Sequence, residues 1–312
     1  MKKMNTPLPR NALPRIGMIG LGIMGTAMSK HLLAAGYHVI GYDVDAKARA
    51  RLKKSGGLPQ PTIEGVVKQA DIVITSLPSA GAFHDVSQHI VLAAHQHTLP
   101  LKILIETSTL PLADKEACVK ALKSVGIAAL DCPIIGTIEQ LPARTWTIFA
   151  SGPKKTYQQA LPVLQAFTDA TPYMGAFGAG TKMKLVANHL VAIYNVAYAE
   201  SVTLARKMGL NPSDVLKHFG QSPILGNGVM RSRMAMMVAR QYTPATMKVA
   251  VWQKDMAIIG DMAKTVDCPT PLFTATADIY TAAMAQGLAM EDTASTAEVL
   301  GLSAGIKPRR PT

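Results

Sequence analysis

The sequence predicts two domains: an α/β domain with a doubly wound, mostly parallel sheet, followed by an all-α domain. The first prediction rests on short apolar strands that alternate with helical segments, which is typical of a parallel sheet with helices on both faces. The second rests on residues 181–208, which contain neither proline nor glycine and repeat apolar side chains with helical spacing. Such a helix is about 42 Å long, enough to form the spine of a second domain.

The length of 312 residues also favours two domains, at roughly 150 residues per domain. The pattern of strands changes to helices near residue 178. We therefore place a basic tail at 1–14, the α/β domain at 15–178, the all-α domain at 179–302 and a second basic tail at 303–312.

The α/β domain begins as strand, glycine turn, helix and second strand. Residues 15–19 form a short strand that is apolar after Arg15, Gly20-Leu21-Gly22-Ile23-Met24-Gly25 follows at once, and residues 26–35 have helical spacing. Residues 38–42 then form a strand that ends on Asp43. The alternation continues with strands at 71–76, 102–106, 127–131 and 145–151 and helices at 111–125 and 154–167.

The glycine turn matches the fingerprint of a Rossmann dinucleotide-binding domain, because a strand precedes it and a helix follows it. Gly20 permits a tight turn, Gly22 lets the backbone approach a pyrophosphate, and Gly25 allows close helix packing. The free N–H groups at the helix N-terminus suit the phosphates. These features predict a dinucleotide cofactor.

Asp43 indicates which dinucleotide is bound. It lies 23 residues after Gly20, where a carboxylate can accept hydrogen bonds from both ribose hydroxyls and would repel a 2′-phosphate. NAD is therefore favoured, while Lys47 and Arg49 nearby keep NADP open as the alternative.

The formal net charge of +12 does not by itself indicate a nucleic-acid-binding protein. Seven of the positive charges lie in residues 1–15 and 303–312, which contain no acid. A nucleic-acid binder more often clusters its basic residues on one face of the folded body, so we expect no nucleic-acid partner. The remaining positive bias suits an anionic cofactor and an anionic small-molecule substrate.

Cysteine usage and hydropathy predict a cytoplasmic protein without a metal site. Cys118, Cys132 and Cys268 are odd in number and contain no C-x-x-C pair, which argues against disulfides and thiolate metal sites. The histidines at positions 84, 89, 95 and 97 are interpreted as solvated helix residues. No segment has the roughly 20 uninterrupted apolar residues of a membrane span, and no apolar signal-peptide core follows the N-terminal lysines.

Lys184 and Asn188 lie four residues apart near the start of the long predicted helix, so their side chains share one face. Lys182 points about 200° away from Lys184 and is out of register with Asn188. Spacing alone leaves open whether Lys184 is functional or a solvated helix residue. Lys254 and Asp255, taken alone, would be a surface pair.

Several separated motifs together carry a resemblance to a known family. They are the glycine turn with Met24, Leu77-Pro78, Ser108-Thr109, the segment 131–148, Gly178-Ala179-Gly180 followed by Lys184 and Asn188, and Lys254-Asp255. In order and spacing these motifs resemble the β-hydroxyacid dehydrogenases, the 3-hydroxyisobutyrate dehydrogenase-like enzymes. The resemblance covers residues 15–302.

The resemblance implies an NAD(P)-dependent oxidoreductase that transfers hydride between nicotinamide and a hydroxy acid or alcohol, or its aldehyde or ketone. It implies catalysis between the two domains, with Lys184 as the catalytic lysine and Asn188 orienting the substrate hydroxyl. It also implies a homodimer or homotetramer. For the cofactor, the resemblance implies that the backbone at Ile23 and Met24 binds the pyrophosphate. It implies that Leu77, Pro78 and Thr109 lie beside the nicotinamide, and that Lys254 reaches over cofactor and substrate.

A lysine suits this chemistry. Oxidising an alcohol requires a base for the hydroxyl proton, and the reverse reaction requires an acid at the same place, so one group serves both directions. A free lysine has a pKa of about 10.4, and we therefore expect desolvation and positive neighbours such as Lys254 to lower the pKa of Lys184.

The segment 131–145 aligns with the family's substrate loop without a gap but differs in content. Ile135 stands where the family has a carboxylate-binding serine, and isoleucine cannot donate a hydrogen bond, whereas backbone N–H groups around Gly136 can. Thr137, Gln140, Leu141 and Arg144 replace the small residues that usually follow. We take Ile135, Gly136, Thr137 and Arg144 as the candidate substrate-binding residues.

Three interpretations of this loop stay open. In the first, the substrate is bulkier or less polar: Ile135 and Leu141 form an apolar wall, and an arginine binds an anionic group, the candidates being Arg144, Arg231 and Arg233. In the second, the substrate is held mainly by backbone groups. In the third, the protein has lost turnover but still binds NAD. Two other classes of protein resemble this family and are kept as alternatives. An imine reductase usually has Asp or Tyr in place of Lys184, and a non-catalytic dinucleotide-binding protein typically lacks the lysine.

Overall fold

The computed structural model describes residues 13–136, 140 and 143–309, so part of both predicted basic tails lies outside the described residues. The chain divides into two compact units, one ending at Lys184 and one beginning at Leu185. The division falls within α7 (Ala179–Lys207), a helix of 29 residues that corresponds to the long helix predicted for 181–208.

A six-stranded parallel sheet organises the first unit. Its strands are β1 (Ile16–Ile19), β2 (Val39–Tyr42), β3 (Leu58–Pro59), β4 (Ile72–Thr75), β5 (Ile103–Glu106) and β6 (Ala128–Asp131). Its helices are α1 (Ile23–Ala34), α2 (Ala46–Lys54), α3 (Ile63–Val67), α4 (Ala80–Gln96), α5 (Leu112–Ser124) and α6 (Lys154–Gln165). The strand order β3-β2-β1-β4-β5-β6 is that of a doubly wound sheet and confirms the predicted fold class.

Burial explains why the central strands were recognisable. All four residues of β1, β4 and β5 are buried, because helices cover both faces of a doubly wound sheet. Such strands are continuous apolar runs rather than alternating ones.

Close backbone packing makes two glycines of the turn irreplaceable. Gly20 has a φ of +91°, and a Cβ on it would lie 2.1 Å from the carbonyl oxygen of Ser76. A Cβ on Gly25 would lie 1.9 Å from the carbonyl oxygen of Gly20. Gly22, by contrast, has no heavy atom within 4 Å of its Cβ position among the described residues, which leaves room for a ligand.

Residues 145–151, predicted to form one strand, do not do so in the structure. Only β8 (Thr147–Ile148) is extended, and it pairs antiparallel with β7 (Ile134–Ile135) in a separate two-stranded sheet. The end of the segment pairs instead with the end of β6, where Asp131 and Ser151 exchange backbone hydrogen bonds at 2.9 and 2.8 Å. The backbone is therefore satisfied locally, without a seventh strand in the described sheet.

The regular elements described in the second unit are all helical, which confirms the predicted all-α class. Besides α7 they are α8 (Pro212–Phe219), α9 (Gly228–Ala239), α10 (Val249–Thr265), α11 (Pro271–Ala285), a 3-10 turn (Thr293–Ser295) and α12 (Thr296–Ser303). Asn211 caps α8 by accepting the Ser213 N–H at 3.0 Å, with Pro212 in the first turn. None of the helices in the described ranges is long and apolar enough to cross a membrane.

Candidate active site

Asp43 joins the glycine turn to the end of β2. Its Oδ2 accepts the Leu21 N–H at 2.6 Å, and its Oδ1 accepts the Asp45 N–H at 2.8 Å. A carboxylate has about four lone-pair sites, so Asp43 can still accept hydrogen bonds from ribose hydroxyls. Arg49 donates to the carbonyl oxygen of Asp43 at 2.5 Å, which holds this guanidinium against the backbone.

The N-terminus of α1 is suited to an anion. Among the described residues, no side chain caps its first turn and the turn contains no acid. Ile23 is 63% exposed, and Met24 is half-buried. Backbone N–H groups that lack intrahelical partners bind phosphate well, so the turn and the helix start fit a dinucleotide.

The loops after β4 and β5 are hydrogen-bonded to each other. Leu77 donates its N–H to Oγ of Ser108 at 2.8 Å, and Ser108 donates its own N–H to Oε1 of Glu106 at 2.8 Å. Pro78 and Thr109, predicted to lie beside the nicotinamide, follow in the same two loops. In doubly wound sheets ligands bind outside the carboxyl ends of the strands, which is where these loops begin.

Lys115 is not among the residues predicted from the sequence, yet it is fully buried between two acids. Its Nζ lies 2.5 Å from Oε2 of Glu106, 2.9 Å from Oδ1 of Asp131 and 3.0 Å from Oγ1 of Thr181. Burial acts to lower the pKa of Lys115, but the charges of Glu106 and Asp131 and the hydrogen bonds to them outweigh it, so that the pKa is raised. Lys115 is therefore protonated in the folded protein.

Two signals in the sequence could have identified Lys115. It shares the inward face of α5 with Leu112, Cys118 and Leu122, positions that are all buried. Two neighbouring strands of the predicted sheet also end on acids, and a buried pair of acids needs a cation.

The start of α7 is fixed by side chains that precede it in the chain. Oγ of Ser151 accepts the Gly180 N–H at 2.9 Å, and Oδ2 of Asp131 accepts the Thr181 N–H at 2.7 Å. These bonds satisfy N–H groups that a helix start leaves without intrahelical partners. Lys184 follows one turn later and is half-buried, whereas Lys182 is exposed.

The substrate-loop residues are only partly described, because Thr137 and Leu141 lie outside the described residues. Ile135 is half-buried at the end of β7, and a Cβ on Gly136 would lie 2.7 Å from Cβ of Trp146. Arg144 Nη2 donates to the carbonyl oxygen of Gln165 at 2.6 Å and to Oδ1 of Asp169 at 2.8 Å. Substrate binding by Arg144 stays a prediction, and in this structure Nη2 of the guanidinium is engaged by Gln165 and Asp169.

The two other arginines considered for an anion also have partners within the protein. Arg233 is buried and donates to Oδ1 of Asp292 at 2.5 Å. Arg231 donates to the carbonyl oxygen of Gly220 at 3.2 Å. Arg233 therefore neutralises a buried acid within the second unit.

In the second unit Asn188 forms a buried arrangement with Asp255. Asn188 Nδ2 donates to Oδ2 of Asp255 at 2.9 Å, and both residues are 5% exposed. Lys254 Nζ lies 3.5 Å from Oδ1 of the same carboxylate, with the lysine side chain 38% exposed. The interpretation of Lys254 and Asp255 as a surface pair is therefore wrong for Asp255. This carboxylate fixes the amide of Asn188 and holds Lys254 nearby.

Two of the four histidines considered, His84 and His97, contact acidic side chains of the first unit. Nε2 of His84 lies 3.1 Å from Oδ1 of Asp114, and Nε2 of His97 lies 3.1 Å from Oε1 of Glu64. Across residues 13–136, 140 and 143–309, no group of three or more His, Cys, Asp or Glu side chains is placed to hold a metal ion.

Comparison with known proteins gives two family matches that together span both units. The family described as the NAD binding domain of 6-phosphogluconate dehydrogenase matches residues 15–175. The family described as "NAD-binding of NADP-dependent 3-hydroxyisobutyrate dehydrogenase" matches residues 178–300.

Similar proteins cover almost the whole chain. L-threonate dehydrogenase of Cupriavidus necator is 29% identical over 91% of this chain and 95% of its own length. 3-Sulfolactaldehyde reductase of Escherichia coli K12 is 26% identical over 93% of this chain and 97% of its own length. The solved structure of Mycobacterium tuberculosis 3-hydroxyisobutyrate dehydrogenase with L-serine has a TM-score of 0.82 at 25% identity, covering 92% of this chain and 99% of that one.

Proposed function

Because the chain belongs to the β-hydroxyacid dehydrogenase family of NAD(P)-dependent oxidoreductases, we propose that Lys184 and Asn188 form its catalytic pair. The observation that carries this proposal is the buried Asn188, whose amide is fixed by Asp255, one turn after a half-buried lysine on the same helix. An amide held in this way can orient a substrate hydroxyl or carbonyl.

In the proposed mechanism Lys184 accepts the hydroxyl proton during oxidation and returns it during reduction. Asn188 holds the reacting oxygen, and Lys254 contributes positive charge near cofactor and substrate. The residues that would hold the dinucleotide are the turn from Gly20 to Gly25, including the backbone at Ile23 and Met24, then Asp43, Leu77, Pro78, Thr109 and Lys254. NAD(P) supplies the hydride acceptor or donor.

Lys184→Ala is expected to lower kcat/KM by about 10²–10⁴-fold, because the transferred proton loses its acceptor. NADH binding, followed by fluorescence, should persist because the dinucleotide residues are intact. Lys182→Ala is the matched control, since this lysine is exposed on the same helix and should leave kcat unchanged. Full activity in Lys184→Ala would disprove the assigned role.

We propose that the substrate is an anionic hydroxy acid, or the corresponding aldehyde, that is bulkier or less polar at one end than 3-hydroxyisobutyrate. Ile135 supports this, because it replaces a hydroxyl donor with apolar surface next to the retained Gly136. One similar protein is named for threonate, a longer hydroxy acid. The experiment is a screen of hydroxy acids, aldehydes and imines with both nicotinamide cofactors. Exclusive turnover of imines, or cofactor binding without any turnover, would refute the proposal.

Ile135→Ser is expected to raise kcat/KM for 3-hydroxyisobutyrate by about tenfold, because a hydrogen bond to a charged group is restored. Ile135→Val keeps the position apolar and serves as the control that should show no gain. The measurement is the steady-state kcat/KM for 3-hydroxyisobutyrate of both variants and of the wild type. Equal values for serine and valine would mean that position 135 does not contact the substrate acid.

We propose NAD as the preferred cofactor and NADP as the weaker one. Support comes from the carboxylate of Asp43 at the end of β2, with the guanidinium of Arg49 held by backbone carbonyl oxygens. Val44, the next residue, is 86% exposed and has no charge to offer a 2′-phosphate.

Asp43→Asn is expected to lower the ratio of kcat/KM for NAD to that for NADP by about tenfold, since the repulsion of a 2′-phosphate and a charge-assisted hydrogen bond are both lost. The neighbouring Asp45→Asn is the control, because its side chain caps α2 and an asparagine caps equally well. An unchanged ratio in Asp43→Asn would show that the preference is set elsewhere.

We propose that the protein is a homo-oligomer that covers an apolar face of α7. Val186, Leu190 and Tyr194 are spaced by four residues and are 59%, 42% and 37% exposed. Such a stripe favours association with a second copy. Light scattering should therefore give a mass of at least two chains. Leu190→Lys should lower this mass, because it places a charge in the stripe. Leu272→Lys, at an exposed leucine on α11, is the control and should leave the mass unchanged. A monomeric wild type would contradict the proposal.

We also propose a reducing compartment such as the cytoplasm. Cys118, Cys132 and Cys268 are free, and burial raises the pKa of both Cys118 and Cys132. Buried thiols of this kind are inert and need no oxidising environment.

A further inference from the structure

Lys115 is the one buried cation that the proposed mechanism does not use among the described residues of the first unit. A fully buried lysine is rare unless it is paired, because its charge is costly to remove from water. Here the ammonium forms an ion pair with Oε2 of Glu106 and donates hydrogen bonds to Asp131 and Thr181. Its position is therefore fixed from three directions.

One branch of these contacts leads to the start of α7. Oδ1 of Asp131 accepts from both Lys115 Nζ at 2.9 Å and Thr181 Oγ1 at 2.7 Å. Lys184 follows Thr181 by three residues, about 4.5 Å along the helix axis. Because a helix is rigid over one turn, any shift of Thr181 is passed to the backbone of Lys184.

The other branch leads to the loops beside the predicted nicotinamide position. Oε2 of Glu106 pairs with Lys115, while Oε1 of Glu106 accepts the Ser108 N–H. Ser108 in turn accepts the Leu77 N–H through its hydroxyl. The loops after β4 and β5 are thus connected to the same ammonium as α7.

We propose that Lys115 is a positioning residue that aligns the helix carrying Lys184 with the loops that hold the cofactor. The proposal rests on the proposed catalytic role of Lys184. Lys115 touches neither substrate nor cofactor in this assignment; it acts through Asp131 and Thr181 on one side and through Glu106 and Ser108 on the other.

Thr181→Val tests the helix branch, because valine keeps the shape of threonine but removes the hydroxyl between Lys115 and Asp131. We expect kcat to fall by about 10- to 100-fold while KM for the cofactor changes less than about twofold, since misplacing a catalytic group affects the reacting geometry rather than dinucleotide binding. Amide hydrogen exchange in peptides covering residues 179–184 should become faster. Thr181→Ser restores the hydroxyl and should restore both kcat and slow exchange.

Ser108→Ala tests the loop branch and should show the opposite kinetic pattern, a raised KM for the cofactor with a smaller change in kcat. Thr203→Val is the control for removing a buried hydroxyl. The Oγ1 of Thr203 on α7 has no hydrogen-bond partner in the described part of the chain, so its kinetics and exchange at 179–184 should match the wild type.

Wild-type kcat and exchange in Thr181→Val, or equal impairment of Thr181→Ser and Thr181→Val, would overturn the proposal. A double substitution, Lys115→Met with Glu106→Gln, keeps the buried net charge at the wild-type value and should reproduce the loss of kcat and the faster exchange. A wild type without dehydrogenase activity would defeat the proposed function instead, and the exchange measurements would still decide whether Lys115 anchors the helix.

Discussion

Strands β5 and β6 end side by side on carboxylates, because the register of the sheet places Glu106 directly opposite Asp131. Two like charges removed from water repel strongly, and a cation between them offsets this repulsion. Lys115 supplies it, and the spare lone pairs of the same carboxylates accept the N–H groups of Ser108 and Thr181. The two carboxylates that strand pairing brings together therefore also fix the loop after β5 and the first turn of α7.

The parts of the fold that the sequence predicts correctly are those that depend on neighbouring residues. A buried parallel strand is an apolar run of fixed length, and a glycine turn before a helix is recognisable within the residues 20–25. The pairing of Ile134–Ile135 with Thr147–Ile148 was not predictable, since a strand of two residues has no periodicity. The burial of Asp255 also escapes sequence reasoning, because it depends on Asn188, 67 residues away in the chain.

The candidate site shows the same division. The spacing of Lys184 and Asn188 is a local helical property and was available from the sequence, together with the motif order. The contact of Arg144 with Asp169 was not, because it joins residues 25 positions apart whose proximity depends on how β8 and α6 pack between them. Lys115 lies between these cases. Its place on the apolar face of α5 could be predicted from the sequence, but its role as the partner of two buried acids could not, because that requires knowing that the acids at the ends of β5 and β6 are neighbours.

The start of α7 has a consequence for how the chain can be rearranged. Its first N–H groups are bonded by Ser151 and Asp131, which are synthesised 29 and 50 residues before their partners. The ribosome therefore delivers the capping groups before the helix that needs them. A gene fusion that joins a foreign helical module at Leu185 would keep this prepared start, whereas one that joins it before Ala179 would lose Gly180, where a Cβ would clash with the carbonyl oxygen of Phe149, and the hydroxyl of Thr181. The natural joint for domain exchange accordingly lies inside a continuous helix, not in the loop that precedes it.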